Sequence, residues 1–224
     1  MEALLYDVHG NLPALEAVLA DAPDVDRFIL GGDYALFGGW PRETVERLRE
    51  LPHALWIRGN GERWTADPPD APDNPVVPGG VAAAREALGD ALVAELAALP
   101  PHVTRDDTLI CHGSPISDVR SFLPEPADDE PELLDGVTEH RLIFGHTHLP
   151  FTRRAGAIEL INPGSVGMPL DGDPRASYAL IHDDGTVEHR RVAYDHAASA
   201  ARVRAHGTGW AEIIARRIEQ ARVA

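Results

Sequence analysis

The sequence predicts an α/β fold whose first part is a largely parallel sheet. Short apolar runs alternate with amphipathic stretches over the first 57 residues in a β-α-β-α-β rhythm. Polar, glycine-containing motifs follow the apolar runs directly, as expected where strands end in a ligand-binding crevice. At 224 residues the chain suits one domain, residues 1–224, with room for a substantial core.

Leu4-Leu5-Tyr6-Asp7-Val8 reads as a buried strand. Asn11 then caps a helix that begins Leu12-Pro13-Ala14-Leu15, with proline in the first turn where it is tolerated. Phe28-Ile29-Leu30 and Ala54-Leu55-Trp56-Ile57 read as the next strands, with a helix near 42–51 between them. Residues 65–80 hold Pro68, Pro69, Pro72, Pro75 and Pro78 among three aspartates, so an extended, semi-rigid loop is expected beside the crevice. Helices are expected at 81–88 and 90–99. Further strands are expected at 108–111, 141–144, 157–161, 178–181 and 187–192, with Asp183-Asp184-Gly185 turning the last hairpin. The stretch 125–135 reads as an acidic solvated loop. The C-terminal stretch 196–222 reads as a helix, with Trp210, Ile213, Ile214 and Ile218 on one face.

Composition narrows the function. The formal net charge is −16, and all 20 basic residues are arginine. Such acidity speaks against stable nucleic-acid or anionic-membrane binding. No apolar run approaches the ~20 residues that span a bilayer. Met1–Val8 reads as strand rather than as a signal peptide. Cys111 is the single cysteine and excludes an internal disulfide, which points to the cytoplasm. An acidic chain that handles phosphates needs a local source of positive charge, which divalent cations supply.

Five motifs follow predicted strands: Asp7-Val8-His9-Gly10-Asn11, Gly31-Gly32-Asp33, Gly59-Asn60-Gly61-Glu62, His112-Gly113 and Gly145-His146-Thr147-His148. On extended backbone, Asp7 and His9 would point to one side, as would His146 and His148. Singly, Asp-x-His and Gly-Gly-Asp are turn motifs. Together, in this order at strand ends, the five point to a metal site.

With these motifs, and with Asn162-Pro163-Gly164-Ser165-Val166-Gly167 and Gly172–Tyr178, the chain resembles the calcineurin-like metallophosphoesterases. The resemblance implies two packed mixed β-sheets flanked by helices, a four-layer α/β/β/α sandwich. It implies two divalent ions, the first on Asp7, His9, Asp33 and His148. The second falls on Asp33, Asn60, His112 and His146, with Asp33 bridging. Manganese is favoured, and iron, zinc or nickel suits the same ligands. The implied chemistry is hydrolysis of phosphodiesters or small organic phosphates by a metal-activated water held by Asp33, Asn60 and His112. Alternatives are a dinucleoside polyphosphate hydrolase, a phosphomonoesterase, or a protein-binding scaffold on the same fold. Asn11, Gly61, Arg63 and Arg175 are candidate substrate contacts, and a homodimer is a further expectation. Two departures from the family pattern stand out. Gly61 occupies a position where much of the family has a histidine acid, and Glu62 would point away if the backbone there were extended. Tyr6 stands where a small residue is common, which would reshape the pocket floor. Trp40 and Trp64 read as packing residues.

Overall fold

The computed structural model describes Met1–Val223. The first half of the chain runs β1 (Glu2–Leu5), α1 (Leu12–Asp21), β2 (Arg27–Leu30), α2 (Pro41–Arg49), β3 (Ala54–Trp56), α3 (Asn60–Ala66) and α4 (Val77–Ala97). It continues β4 (His102–Arg105), β5 (Thr108–Cys111), α5 (Glu130–Leu133), β6 (Arg141–Ile143), β7 (Phe151–Ala155) and β8 (Ile158–Asn162). β9 (Ala176–Ile181), β10 (Val187–Val192), α6 (His196–Arg204) and α7 (Gly209–Gln220) complete it.

The strands form two five-stranded sheets, ordered β10-β9-β1-β2-β3 and β4-β5-β6-β8-β7. In the first, β1, β2 and β3 are parallel, with Leu4 opposite Ile29 and Ile29 opposite Leu55. In the second, β5, β6 and β8 are parallel and the edge strands β4 and β7 antiparallel. Period-2 alternation assigns each side chain to a layer. Leu4, Tyr6, Ile29, Ile110, Ile143 and Ile161 pack between the sheets. Ala3, Leu5, Phe28 and Leu30 face α1, α2 and the end of α4 instead. Leu109, Cys111, Leu142 and Leu160 face the opposite way, under Phe122 and α5. Cys111 is therefore a core residue, and burial pushes its thiol pKa well up. Each buried Leu or Ile contributes ~1.5–3 kcal/mol, so the inter-sheet layer is a major part of what holds the two sheets face to face.

Tyr6 fits this layer because two glycines make room for it. A Cβ at Gly31 would lie 2.0 Å from the Tyr6 ring, and one at Gly145 2.5 Å from it. The ring sits in the inter-sheet core beneath the motif loops, and its hydroxyl reaches Ile143 O at 3.4 Å.

Several expectations need correction. β4 and β7 were not expected: as polar edge strands, with Thr104, Arg105, Arg153 and Arg154 among their residues, they lack the apolar signature. The 65–80 segment is more regular than its prolines suggested. α3 runs to Ala66, a 3₁₀ turn spans Pro68–Asp70, and α4 starts at Val77. Pro68, Pro69 and Pro78 fall in first turns, where a missing N–H costs nothing. The C-terminal 196–222 stretch is two helices, α6 and α7, separated at Gly207, which takes φ 68°. Inside the acidic run, Glu130–Leu133 forms a helical turn that buries Leu133.

The break inside α4 falls at Gly89, with φ 72° and ψ 159°, as the separate readings 81–88 and 90–99 require. That conformation is essentially restricted to glycine, and the space around it is open apart from Arg42 Nη2 at 3.4 Å. Gly89→Ala is therefore expected to destabilise the protein by ~1–3 kcal/mol. In an uninterrupted helix the same change would stabilise by ~1 kcal/mol, so the sign of the shift in a urea titration decides between the two.

Candidate metal centre

All five motifs fall at the carboxyl ends of parallel strands: β1, β2 and β3 from one sheet, β5 and β6 from the other. The backbone there is not extended, which corrects the pairing argument. Asp7, His9, Asp33, His146 and His148 all take positive φ, between 49° and 67°. Asp and His tolerate the left-handed region better than most residues, yet each such position costs of order 1 kcal/mol or more. The surroundings hold them. Asp7 N donates to Gly32 O at 3.2 Å, His9 N to Asp33 O at 2.9 Å and Gly10 N to Tyr34 O at 2.7 Å. Ser165 Oγ and Gly167 N both donate to Asp7 O.

Three histidines are locked by backbone carbonyls. His9 Nδ1 meets Leu36 O at 2.9 Å, His112 Nδ1 meets Gly31 O at 2.8 Å, and His148 Nδ1 meets Met168 O at 2.5 Å. A carbonyl only accepts, so each Nδ1 carries its proton and each Nε2 is turned inward as a ligand atom. His9 Nε2 and His148 Nε2 then face each other at 3.1 Å. Something positive, a proton or a metal, has to lie between two such nitrogens.

The carboxylates complete the cluster. Asp7 Oδ1 is buried without a hydrogen-bond partner and lies 3.4 Å from His148 Nε2, 3.8 Å from His112 Nε2 and 3.9 Å from His9 Nε2. Asp33 spans two sides, with Oδ1 3.5 Å from His112 Nε2 and Oδ2 3.9 Å from His9 Nε2. Asn60 Oδ1 sits 3.0 Å from His112 Nε2 and 2.8 Å from His146 Nδ1. Ligand atoms ~2.1 Å from one ion stand ~3–4.2 Å apart, depending on the angle between them, so these separations suit a cation. Asp7, His9 and His148 could hold one metal, and Asp7, Asp33 and His112 another.

Electrostatics agree with the geometry. Burial would raise the Asp7 pKa, but His148, His112 and His9 outweigh it and hold the carboxyl below its usual range. Burial opposes charge on His112 and His148, yet the aspartates outweigh it and raise both. His9 is pushed down to about 3 by burial and His148, and His146 to about 4 by burial and His112. The buried aspartates thus favour the protonated form of His112 and His148.

The remaining candidates are placed differently. Glu62 is turned inward, because residues 60–66 are helical rather than extended. It accepts from Asp33 N, Tyr34 N and Gly59 N, each at 2.8 Å, tying the second motif to the third. Burial and then Asp33 push its pKa up to about 7. A glutamate at the third position of a helix, reaching back to the cap N–H, was the sequence signal for this. Arg63 is engaged by carboxylates: its guanidinium is bidentate to Asp118 at 2.6 and 2.7 Å and also pairs with Asp70. Arg175 is exposed and paired with Asp173. Asn11 is buried scaffold, bonded to Ala14 N, Gly167 O, Tyr194 and Ser199. Gly61 N donates to Asp33 Oδ1 at 2.6 Å.

A cleft of about 470 Å³ opens over the cluster, within the range of small-molecule sites. His9, Asp33, Asn60, His146 and His148 line it, and Phe37, Trp64, Met168, Leu170 and Ile213 give it apolar walls. Asn74–Val77 also line it, so the proline-rich segment does border the cleft. Trp64, read as a packing residue, presents part of its surface here.

The profile of the calcineurin-like phosphoesterase superfamily domain matches residues 2–186. This chain belongs to that superfamily. An uncharacterized protein of Methanocaldococcus jannaschii is 30% identical over 222 residues, covering 87% of this chain and 88% of its own. Phosphodiesterase YfcE of Escherichia coli is 28% identical over 196 residues, covering 80% and 85%. The crystal structure of a metallophosphoesterase from Sphaerobacter thermophilus superposes with a TM-score of 0.85 at 30% identity, covering 98% of each chain. A hypothetical protein from Pyrococcus horikoshii shares the fold at a TM-score of 0.86 and 20% identity, over 100% of both chains. Membership carries with it divalent-metal chemistry on phosphoesters. Among the described residues, no helix is long and apolar enough to cross a membrane.

Two outcomes are expected. A Cβ at Gly61 would lie 2.9 Å from Asp33 Oδ1 and 3.1 Å from its Cγ. Gly61→Ala should therefore displace Asp33 and lower phosphoester turnover by about tenfold or more, since small misplacements at a reacting centre carry large rate penalties. Gly61→His suffers the same clash before its ring can serve as an acid. Metal binding, for its part, competes with protons for the imidazole nitrogens, and most strongly at His112 and His148, whose pKa values are raised. Affinity should therefore fall as pH drops and rise as pH climbs through the histidine range, with proton release visible by calorimetry in buffers of different ionisation enthalpy.

Proposed function

We propose that the chain is a dinuclear metal-dependent phosphoesterase that favours phosphodiesters. The observation carrying this reading is the pair of overlapping donor clusters, Asp7-His9-His148 and Asp7-Asp33-His112, with the two Asp33 oxygens directed to His9 on one side and His112 on the other; from these we assign two ion sites bridged by Asp33. Asp7, His9, Asp33 and His148 form the first site; Asp33, Asn60, His112 and His146 form the second. The imidazole, carboxylate and carboxamide donors suit manganese, with iron, zinc or nickel compatible. Divalent cations held by these residues would supply Lewis acidity, offsetting phosphoryl charge and lowering the pKa of a bound water.

The chain's own residues fix everything else. Leu36, Gly31 and Met168 carbonyls hold the histidine tautomers, and Glu62 holds the Asp33 loop against the Asn60 helix. When His112 Nε2 carries no proton, Asn60 can turn its amide to donate to His112 and His146 at 3.0 and 2.8 Å, which holds both rings. No protein nucleophile is needed: Ser114 Oγ is bonded to Ser117 O, and Cys111 belongs to the core. Position 61 offers no acid, so the leaving group departs unassisted from that side. The phosphodiesterase named YfcE among the relatives supports the diester preference, and the complete donor set favours hydrolysis over a scaffold role.

The test is metal analysis with bis(4-nitrophenyl) phosphate turnover. Two ions per chain are expected. Asp33→Asn should lower turnover by at least ~10²-fold and reduce metal content, because its electrostatic role serves both ions. One ion per chain, or normal activity in Asp33→Asn, would overturn the dinuclear assignment.

A further inference from the structure

The cleft contains one cation that the reading above leaves without a role. Arg217 lies on α7 one turn after Ile213, and both line the cleft that holds His9, Asp33 and His148. Its Nε is sealed from solvent and has no hydrogen-bond partner. Among the described residues no carboxylate pairs with it, and burial alone acts on it, drawing its pKa below the ordinary guanidinium value. In a chain of net charge −16 this is unexpected, since carboxylates are plentiful. Those of α7 itself turn elsewhere: Glu212 pairs with Arg204 and Arg216, and Glu219 with Arg204. An uncompensated, half-buried charge is costly, and a guanidinium in a ligand cleft matches the oxygens of a phosphate bidentately.

Arg217 is not tied into the metal-ligating cluster. It forms no ion pair with Asp7 or Asp33. Ile213, Leu170 and Trp64 line the same cleft with apolar surface, suited to the body of an organic ligand. A substrate filling the cleft would present its scissile phosphate to the Asp–His cluster and rest its organic part on these side chains. Arg217 would then be free to meet an anionic group elsewhere on the molecule.

We infer that Arg217 is a specificity-determining residue that binds a second phosphate, so that the preferred substrates are phosphoesters bearing an apolar or aromatic body and a second phosphate group. The inference rests on the phosphoesterase reading. Its test uses two esters with the same leaving group, thymidine 5′-(4-nitrophenyl phosphate) and its 3′-phosphorylated counterpart, on the metal-loaded protein.

The wild type should prefer the 3′-phosphorylated ester in kcat/KM by about tenfold or more, the scale of a charge-assisted hydrogen bond. Arg217→Gln should abolish that preference, chiefly through KM, while leaving the singly charged ester nearly unchanged. Arg217→Lys should restore part of it. Calorimetric binding of thymidine 3′,5′-bisphosphate to metal-stripped protein should weaken in Arg217→Gln by a similar factor, which reads the contact without turnover. No preference in the wild type, a preference that survives Arg217→Gln, or an equal loss on both esters would overturn the inference. Equal loss would mean that Arg217 contacts the scissile phosphate instead. Hydrolysis of neither ester by the metal-loaded wild type would instead remove the phosphoesterase reading, and this inference with it.

Discussion

Asp7 and Asp33 are buried carboxylates at the meeting point of two sheets, and isolated buried charge of this kind is among the costliest features a fold can contain. The rest of the site is organised around balancing it. Three imidazoles have their inner nitrogens fixed by carbonyl oxygens on their far side. Five residues accept left-handed backbone to bring their side chains inward. Glu62, itself buried, is held by three backbone N–H groups rather than by a counterion. The sandwich makes this possible because its sheets present the carboxyl ends of their parallel strands at the same edge. Loops from both layers can then reach one point without a long connection crossing the core.

Much of this was legible in the sequence, for physical reasons that also explain the gaps. Buried central strands such as β1, β2 and β6 announce themselves as apolar runs. The ligand motifs directly after them pair glycine with residues that bind cations. The edge strands β4 and β7 carry threonine and arginine on half-exposed faces and leave no comparable trace. Pro78 looked like a helix breaker, yet it starts α4, because proline excludes only the interior of a helix.

Side-chain direction was harder to infer than residue identity. Asp7 and His9 do converge with His146 and His148, but through left-handed turns rather than through strand alternation. Arg63 and Arg175 were reasonable phosphate contacts by type, and local aspartates claim both. Arg217 had no motif to mark it, since its distinction is the lack of a partner, which only the folded arrangement of α7 reveals. The carbonyls of Leu36, Gly31 and Met168 were equally invisible, because a backbone acceptor carries no sequence identity.

Tyr6 has a consequence for how these positions can change over evolutionary time. Its ring fills the volume that side chains at residues 31 and 145 would occupy, so the three positions share one space although they lie on three separate strand ends. None of them can vary alone. An added methyl group at Gly31 first requires a smaller residue at position 6, one at Gly145 must also displace Asp7 Oδ2 at 2.6 Å, and a smaller residue at position 6 alone leaves a void under the metal-ligating loops. Substitutions there should travel as compensated sets. Grafting one motif from a relative with a small residue before the first aspartate would import a steric mismatch even if every ligand were preserved.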